Sequence, residues 1–458
     1  MGRLKYFSRS HGKRAQLRPP DLYEYSVDNY WFKTIDLEAE SISPRLRGSR
    51  TADVVIVGGG YTGLSAAYHI HRIFPDKKIA LVEGAHCGYG ASGRNGGFCV
   101  TTDWIDGLED LGPEECRQAL DVASYGLRQI KHLIAEHGLE CDLEETGMLD
   151  MALTDKQVKS LADDHALYSR LGLESTLLNG DELKAEIDSP VFKAGLVTPY
   201  GAILNPAKLV LGMKRIAEEA GVEIWERTIV TRVTPGRTVL IDTELGEIRA
   251  PVLVLATNAY SHKLGFFRNR VMPVGVFQIA TAPLSPSQWE SIGWHNRRGL
   301  ADASPLFSYS RPTADGRIVM GGVNSQYYAG DSLASGNDKT VTRSIEAELF
   351  RFFPQLEGLA IEHAWGGTTA LTLGNTPSVG VMGDDKNIFY GVGFSEGVPS
   401  TQTAGRIIAD LMAGESNEFT NHYVVNHNIP YAGPTALRGP LARGAKWLMN
   451  TFDLPLYR

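Results

Sequence analysis

The chain has 458 residues, enough for two joined domains that each bury a core. Its 45 basic and 53 acidic residues give a formal charge of -8, which disfavours nucleic-acid binding. Four cysteines without C-x-x-C spacing, no apolar run near the ~18 residues of a membrane span and no signal-peptide core predict a cytoplasmic protein with free thiols and no membrane span.

The first regular unit combines two strands and a helix. Residues 53–57 (DVVIV) form an apolar β-rich run, and a helix is predicted over residues 64–73. A second strand follows at residues 78–82 (KIALV). This spacing predicts a βαβ unit with parallel strands.

A dinucleotide fingerprint lies inside this unit. Gly58, Gly60 and Gly63, with Thr62 between the last two, connect the first strand to the helix, and Glu83 ends the second strand. Glycines permit close approach of a diphosphate, the helix N-terminus supplies N–H donors, and the carboxylate can accept from ribose hydroxyls. The pattern favours dinucleotide binding over an empty glycine turn, but NAD and FAD both use this fold.

A second glycine-rich run, GASGRNGG, occupies residues 90–97. Its backbone can wrap around a flat or charged group, and its polar side chains can donate hydrogen bonds; a flexible loop is the alternative. The candidate cofactor contacts here are Gly90, Ala91, Ser92, Arg94, Asn95, Gly96 and Gly97.

GASGRNGG after such a fingerprint resembles the flavin-contacting loop of D-amino-acid oxidase-like enzymes, especially the gamma-glutamylputrescine oxidase-like group. DNYW at 28–31, VLVLATNAYS at 252–261, WGG at 365–367 and GFSEG at 393–397 extend the resemblance over about residues 28–415. The resemblance implies FAD, with Val230 near the adenine and Thr257, Gly393, Gly397 and Val398 among its other contacts. The helix after residue 397 would direct its N-terminal amides at the flavin.

Three departures from the family pattern bear on the chemistry. Many relatives carry histidine in the late loop, where this chain has Ser395 and Glu396. Residues 365–380 contain no cysteine to tether the flavin, and Arg94 stands where some relatives have a tethering histidine, so noncovalent FAD is expected. A lysine that assists oxygen reduction in sarcosine oxidase-like relatives aligns with Val319, which keeps a dehydrogenase open.

The resulting fold class is α/β, with a Rossmann-like FAD-binding domain interleaved with an α+β substrate domain built on an antiparallel sheet. The FAD-binding domain is assigned to residues 50–105, 195–262 and 362–415. The substrate domain takes residues 106–194 and 263–361, where strand patterns dominate between 270 and 325. Residues 1–49 form an N-terminal arm and residues 416–458 a C-terminal tail, which either packs on the body or on a partner subunit, or lies on a membrane surface.

Amine oxidation needs a dry, shaped site, for which Tyr309, Trp365 and Phe394 are the aromatic candidates. Arg311, two residues after Tyr309 on a strand, could bind a substrate carboxylate, whereas Glu396 could hold a distal ammonium. The sequence does not choose between these two. His69 and His71 face different ways on a helix and indicate surface histidines, so no metal is expected.

These patterns predict FAD-dependent oxidation of an amine: an amino acid derivative, an N-substituted amino acid or a polyamine conjugate. Hydride passes to the flavin, the imine is hydrolysed, and oxygen reoxidises the flavin with release of hydrogen peroxide. The alternatives are an amine dehydrogenase with another acceptor, an NAD-dependent dehydrogenase and a non-catalytic flavin-binding protein. The partners expected are the small-molecule amine and the electron acceptor, and a homo-oligomer stays open.

Overall fold

The computed structural model describes residues 29–36, 42–101, 110–304, 306–322, 325–328, 330–333, 336–395 and 397–452. The helices are α1 Tyr30–Lys33, α2 Tyr61–Ile73, α3 Pro113–His137, α4 Asp155–Leu171, α5 Gly180–Glu186, α6 Pro206–Glu219, α7 Pro286–Ile292, α8 Lys339–Phe352, α9 Val398–Ala413 and α10 Thr435–Phe452. Short 3-10 turns cover Ala91–Gly93, Asn258–Leu264 and Pro354–Leu356.

The strands form four sheets in the described ranges. They are β1 Gly48–Thr51, β2 Val54–Val57, β3 Ile79–Val82, β4 Phe98–Val100, β5 Met148–Ala152, β6 Thr176–Asn179, β7 Ala194–Thr198, β8 Gly201–Ile203, β9 Glu223–Trp225, β10 Val230–Thr234, β11 Val239–Thr243, β12 Gly246–Ala250, β13 Val252–Leu255, β14 Val271–Thr281, β15 Gly299–Asp302, β16 Ser308–Pro312, β17 Ile318–Gly322, β18 Ile361–Thr372, β19 Ser378–Met382 and β20 Ile388–Val392.

The predicted βαβ unit lies at the centre of a six-stranded sheet ordered β19-β20-β13-β2-β3-β9. Strands β20, β13, β2, β3 and β9 run parallel, and β19 is an antiparallel edge. Both faces of β2 and β3 are buried, as continuous Val and Ile runs in a parallel sheet require. Helix α9 returns to this sheet and packs on α2, where the Ser65 hydroxyl donates to the Gln402 carbonyl at 2.9 Å.

The second large sheet has eight strands in the order β18-β14-β17-β16-β15-β5-β7-β6 and is antiparallel except for the β15–β5 pair. Successive side chains of β14 alternate between its faces. Phe277 and Ile279 enter a core that includes Leu349 and Phe352 of α8, while Gln278 and Val276 face a cavity. This sheet and the six-stranded one confirm the predicted α/β class.

The sheets divide the chain differently from the boundaries set by the sequence. Residues 194–198 and 361–372, assigned largely to the FAD-binding domain, are strands β7 and β18 of the eight-stranded sheet. The sequence could not show this because a short run of strand-forming residues does not specify which sheet it joins. A four-stranded sheet ordered β1-β12-β11-β10 stands apart from the two large ones.

The first and last described segments both contact the body. Asn29, Trp31 and their neighbours are buried beneath residues 93–95, so this part of the arm belongs to the core. In α10 the buried Arg438 forms a bidentate pair with Asp331 at 2.7 and 2.9 Å, which anchors the first turn of the tail helix on the body. Leu441 and Trp447 of the same helix are exposed.

Three further observations concern features that were predicted from the sequence. His69 is buried, not on the helix surface, because its ring packs beside Tyr68 and Tyr125 of α3. None of the helices in the described part of the chain is long and apolar enough to cross a membrane. All four cysteines lie in the described residues, are buried and form no disulfide.

Candidate active site

One continuous cavity of about 740 Å³ extends from the glycine turn of the six-stranded sheet to the face of the eight-stranded sheet. This volume is typical of ligand pockets. Of the residues predicted from sequence, the following line it: Gly58, Gly60, Thr62, Glu83, Gly90, Ala91, Ser92, Arg94, Asn95, Gly96, Val230, Thr257, Tyr309, Phe394, Ser395, Gly397 and Val398. Chain segments that are far apart in sequence therefore line the same cavity.

In the glycine turn at 58–63, backbone atoms of different segments are in close contact. A Cβ on Gly58, whose φ is +113°, would lie 2.4 Å from the Ala256 carbonyl oxygen. A Cβ on Gly63 would lie 1.9 Å from the Gly58 carbonyl oxygen, so this glycine serves the packing of α2 on β2 and does not line the cavity. Glu83 closes the turn by accepting from the Gly59 N–H at 2.8 Å.

The 90–97 loop packs on the N-terminus of α2. The Ser92 hydroxyl oxygen accepts from the Tyr61 N–H at 3.0 Å, and Asn95 accepts from the Gly97 N–H at 2.8 Å. Arg94 turns its side chain into the protein, where Nε donates to the Tyr89 carbonyl at 2.7 Å. Gly97, with φ at +73°, is tucked against Leu204 and lies outside the cavity lining.

The late loop is held by Asn258, which follows strand β13. Its Oδ1 accepts from the N–H groups of Gly393 and Phe394 at 2.9 and 3.2 Å, and its Nδ2 donates to the Phe394 carbonyl at 3.0 Å. The Ser395 hydroxyl donates to Asn375 at 2.7 Å. Gly393 is therefore a backbone anchor outside the lining, and Glu396 lies outside the described residues.

Two helix N-termini open into the cavity. Helices α2 and α9 have glycine N-caps, Gly60 and Gly397, and neither cap supplies a side-chain acceptor for the first-turn amides. Exposed amides at a helix start favour anionic groups. Together with the glycine turn and the Glu83 carboxylate, which can accept from ribose hydroxyls, these helix ends fit a dinucleotide: one would face its anionic diphosphate, and the other a ring that gains electrons on reduction.

The comparison with protein families decides which dinucleotide is bound. Residues 53–411 match the family described as FAD dependent oxidoreductase, DAO. The chain belongs to this family. FAD is therefore its cofactor, and the resemblance inferred from the glycine motifs is confirmed.

Relatives of this FAD-dependent oxidoreductase cover most of its length. Gamma-glutamylputrescine oxidoreductase of Escherichia coli is 32% identical over 413 residues, 88% of this chain and 93% of the relative. Glycine oxidase of Bacillus licheniformis is 22% identical, with 79% and 93% covered. The crystal structure of glycine oxidase from Geobacillus kaustophilus superposes with a TM-score of 0.71 at 18% identity, covering 83% of this chain and all of that one, which shows a shared fold.

Two predicted substrate residues lie elsewhere in the oxidoreductase. Arg311 is buried under the 90–97 loop, where its Nη1 donates to the carbonyls of Leu204 and Gly97 and its guanidinium stacks 5.2 Å from the Trp31 ring. It does not line the cavity, so the expected carboxylate contact is not available to it. Its strand neighbour Tyr309 does line the cavity, with its ring close to Gly96 and Phe98.

Trp365 is likewise a supporting residue in this structure. Its ring is buried, and its Nε1 donates to the Arg94 carbonyl at 3.0 Å from behind the 90–97 loop. The aromatic lining of the cavity includes Tyr309 and Phe394, as expected, and also Phe98, Phe307 and Tyr168.

The sequence analysis missed several polar residues of the lining: Asp150, Asn258, Lys263, Gln278 and Asp302. Two of them carried a signal that could have been read. Asp150 interrupts the otherwise apolar strand MLDMA, and Gln278 interrupts VFQIAT. A lone polar residue in an apolar strand either has a partner or faces a ligand.

Proposed function

We propose that this chain oxidises an amine in the cavity described above. The observation that carries the proposal is the continuity of the cavity from the Glu83 turn to the sheet floor at Tyr309 and Gln278. Bound FAD would take a hydride from the carbon beside the amine nitrogen, and the resulting imine would be hydrolysed. The protein's part is to bind, orient and desolvate the amine.

The residues around the sheet floor suit that part. Tyr309, Phe394 and Val276 form apolar and aromatic walls, which exclude water and favour the unprotonated amine. The N-terminus of α9 opens into the cavity at Gly397 and Val398, and the positive end of its dipole would stabilise negative charge on a reduced ring. Thr369, whose hydroxyl donates to the Phe394 carbonyl at 3.0 Å, helps Asn258 to hold the loop before this helix.

Noncovalent binding of the cofactor is part of the proposal. All four cysteines are buried and Arg94 occupies the place of a tethering histidine with its side chain held by Tyr89 and Gly366 carbonyls. Acid precipitation should therefore release the flavin into the supernatant. Yellow colour that stays with the denatured pellet would contradict this.

Oxygen is the electron acceptor we propose, with hydrogen peroxide as product, and one observation favours the dehydrogenase alternative. Val319 is fully buried on β17, so the residue that aligns with the lysine assisting oxygen reduction in related oxidases carries no charge here. A measured ratio of peroxide formed to amine consumed near one supports the oxidase. Reoxidation in air that is slow beside that by an artificial acceptor supports the dehydrogenase.

The test is anaerobic titration of the purified protein, followed by its flavin absorbance near ~450 nm. Gamma-glutamylputrescine, glycine, sarcosine and aminophosphonates are added in turn. We expect bleaching by an amine-containing class. Flavin that stays oxidised under every amine would instead support a flavin-binding protein without turnover.

A further inference from the structure

A single row of residues crosses the cavity floor. The strand registers place Gln278 of β14 opposite Gly321 of β17, Gly321 opposite Tyr309 of β16, Tyr309 opposite Ala301 of β15, and Ala301 opposite Asp150 of β5. All except Gly321 line the cavity. Four strand spacings of about 4.8 Å separate the ends of this row, or ~19 Å between backbones.

At one end of the row, Gln278 offers an unused acceptor. Its Nε2 donates to the Arg94 carbonyl at 2.8 Å, which fixes the amide orientation because a carbonyl can only accept. Its Oε1 is buried without a hydrogen-bond partner in the described ranges, in a side chain that is 3% exposed. A buried unpaired acceptor costs free energy, so a donor on the ligand is the natural partner.

At the other end, Asp150 offers a second acceptor. The described residues give it neither a hydrogen bond nor an ion pair, and it lines the cavity beside Tyr168 of α4. Burial, together with the negative charges of Asp164 on α4 and Asp302 at the end of β15, raises the pKa of Asp150 to about 7. The carboxylates of Asp164 and Asp302 beside that of Asp150 favour the binding of a cation at this end of the row.

The middle of the row is suited to an apolar chain. Tyr309 lies across Gly321, where a Cβ would stand 2.5 Å from the tyrosine oxygen. Ala301 follows as a small residue, and Phe307 and Met148 add apolar lining nearby. The floor therefore offers acceptor, apolar spacer and carboxylate in sequence.

We propose that Asp150 binds a second, protonated amine of the substrate. This amine lies at the opposite end of the molecule from the amine that is oxidised, and the N–H of the oxidised amine donates to Gln278 Oε1. The substrate class is an elongated molecule with two amines, such as an aminoacylated diamine. This inference rests on the proposed function for the choice of the reacting end. The distal subsite itself is a matter of binding and can be measured separately.

Two probes that differ by one ammonium group test the subsite. Gamma-glutamylputrescine carries a distal α-ammonium, and N-glutarylputrescine lacks only that group. Dissociation constants of both are measured with the FAD-loaded protein, from anaerobic flavin spectra and by calorimetry. We expect the wild type to bind the first probe at least about tenfold more tightly.

Asp150→Asn should reduce this preference to within about twofold, while Asp163→Asn, an exposed acid on α4, should keep it. Equal binding of both probes by the wild type, or an unchanged preference in Asp150→Asn, overturns the proposal. If neither probe reduces the flavin, the proposed reaction fails for them, and the calorimetric preference still decides the subsite.

The wild type provides a second measurement that needs no variant. Protonation of Asp150 removes the charge that attracts the ammonium, so the preference between the probes should weaken as pH falls from about 8 to about 5. Both probes share the reacting amine and a carboxylate, so titration of those groups cancels in the ratio. A ratio that is constant over this interval contradicts the assignment even if Asp150→Asn does not fold.

Discussion

The backbone N–H of Gly59 donates to Oε2 of Glu83 at 2.8 Å, while Oε1 of the same carboxylate accepts from Ala85 at 2.9 Å. The group expected to receive the ribose thus also holds the glycine turn together. Burial raises the pKa of Glu83, and these two backbone hydrogen bonds oppose the rise because they favour the charged form. Removing the charge should loosen the turn and the cofactor together.

Glu83→Gln is therefore expected to weaken FAD binding by about tenfold or more, since an amide has one acceptor oxygen where the carboxylate has two. The measurement is the dissociation constant from flavin fluorescence during dilution of the loaded protein. Glu219→Gln, an exposed acid at the end of α6, is the matched control. Equal flavin retention in the two variants would show that the carboxylate is dispensable.

Gly63→Ala tests the close packing of helix on strand. The added Cβ would stand 1.9 Å from the Gly58 carbonyl oxygen, and backbone cannot move away as a side chain can. We expect a loss of stability of about 1–3 kcal/mol together with a lower flavin content, measured by thermal unfolding and by the ratio of absorbances. Gly236→Ala, with its nearest atom at 3.5 Å, should change neither.

The sequence predicted the cofactor half of the site better than the substrate half, for a physical reason. The fingerprint at 58–63 and Glu83 belong to one βαβ unit, whose geometry is fixed by local chain rules. Arg311 and Trp365 were predicted to line the cavity and do not. Their surroundings depend on the 90–97 loop that packs above them, and each contacts that loop across more than 200 residues of sequence. The alternation of side chains along a strand identifies which residues share a face of the sheet. It does not identify which other segments of the chain cover that face.

The same limit explains why Asp150 and Gln278 were missed. They lie on strands that are 128 residues apart, and only the order β14-β17-β16-β15-β5 brings them into one row. Strand order in a mostly antiparallel sheet is not encoded in the local pattern of any one strand. The pattern did indicate the existence of an antiparallel sheet between residues 270 and 325, which the structure contains as β14 to β17.

Asn258→Ala addresses the loop that begins α9. The amide makes three hydrogen bonds to Gly393 and Phe394; alanine removes the acceptor of two backbone N–H groups and one of the donors to the Phe394 carbonyl, which keeps its hydrogen bond from Thr369. We expect looser flavin contacts, seen as a shifted flavin spectrum and a several-fold lower limiting rate of reduction. Asn258→Asp retains the acceptor and loses the donor, so it should fall between alanine and wild type; an effect as large as that of alanine would assign the role to the donor alone.

Acid stability tests the buried histidine of α2. Burial lowers the pKa of His69 to about 3, and the charges of Arg406, Arg72 and His132 act in the same direction. The ordinary pKa of histidine in an unfolded chain is about 6.5, so the unfolded state takes up the proton first. The stability from keeping His69 neutral is thus fully present above pH 6.5 and is lost as pH falls towards 3.

His69→Phe removes this proton uptake, because phenylalanine keeps the ring contacts to Tyr68 and Tyr125 and cannot titrate. Relative to its own value at pH 7, the unfolding free energy of the variant should fall less on acidification than that of the wild type. The difference should reach on the order of a few kcal/mol near pH 4. Urea unfolding of the FAD-loaded protein at a series of pH values measures it, with His71→Phe, two residues along the helix on a more exposed face, as control. Parallel curves for wild type and His69→Phe would mean that the imidazole is protonated in the folded protein, and that its surroundings are more polar than the packing against Tyr68 and Tyr125 implies.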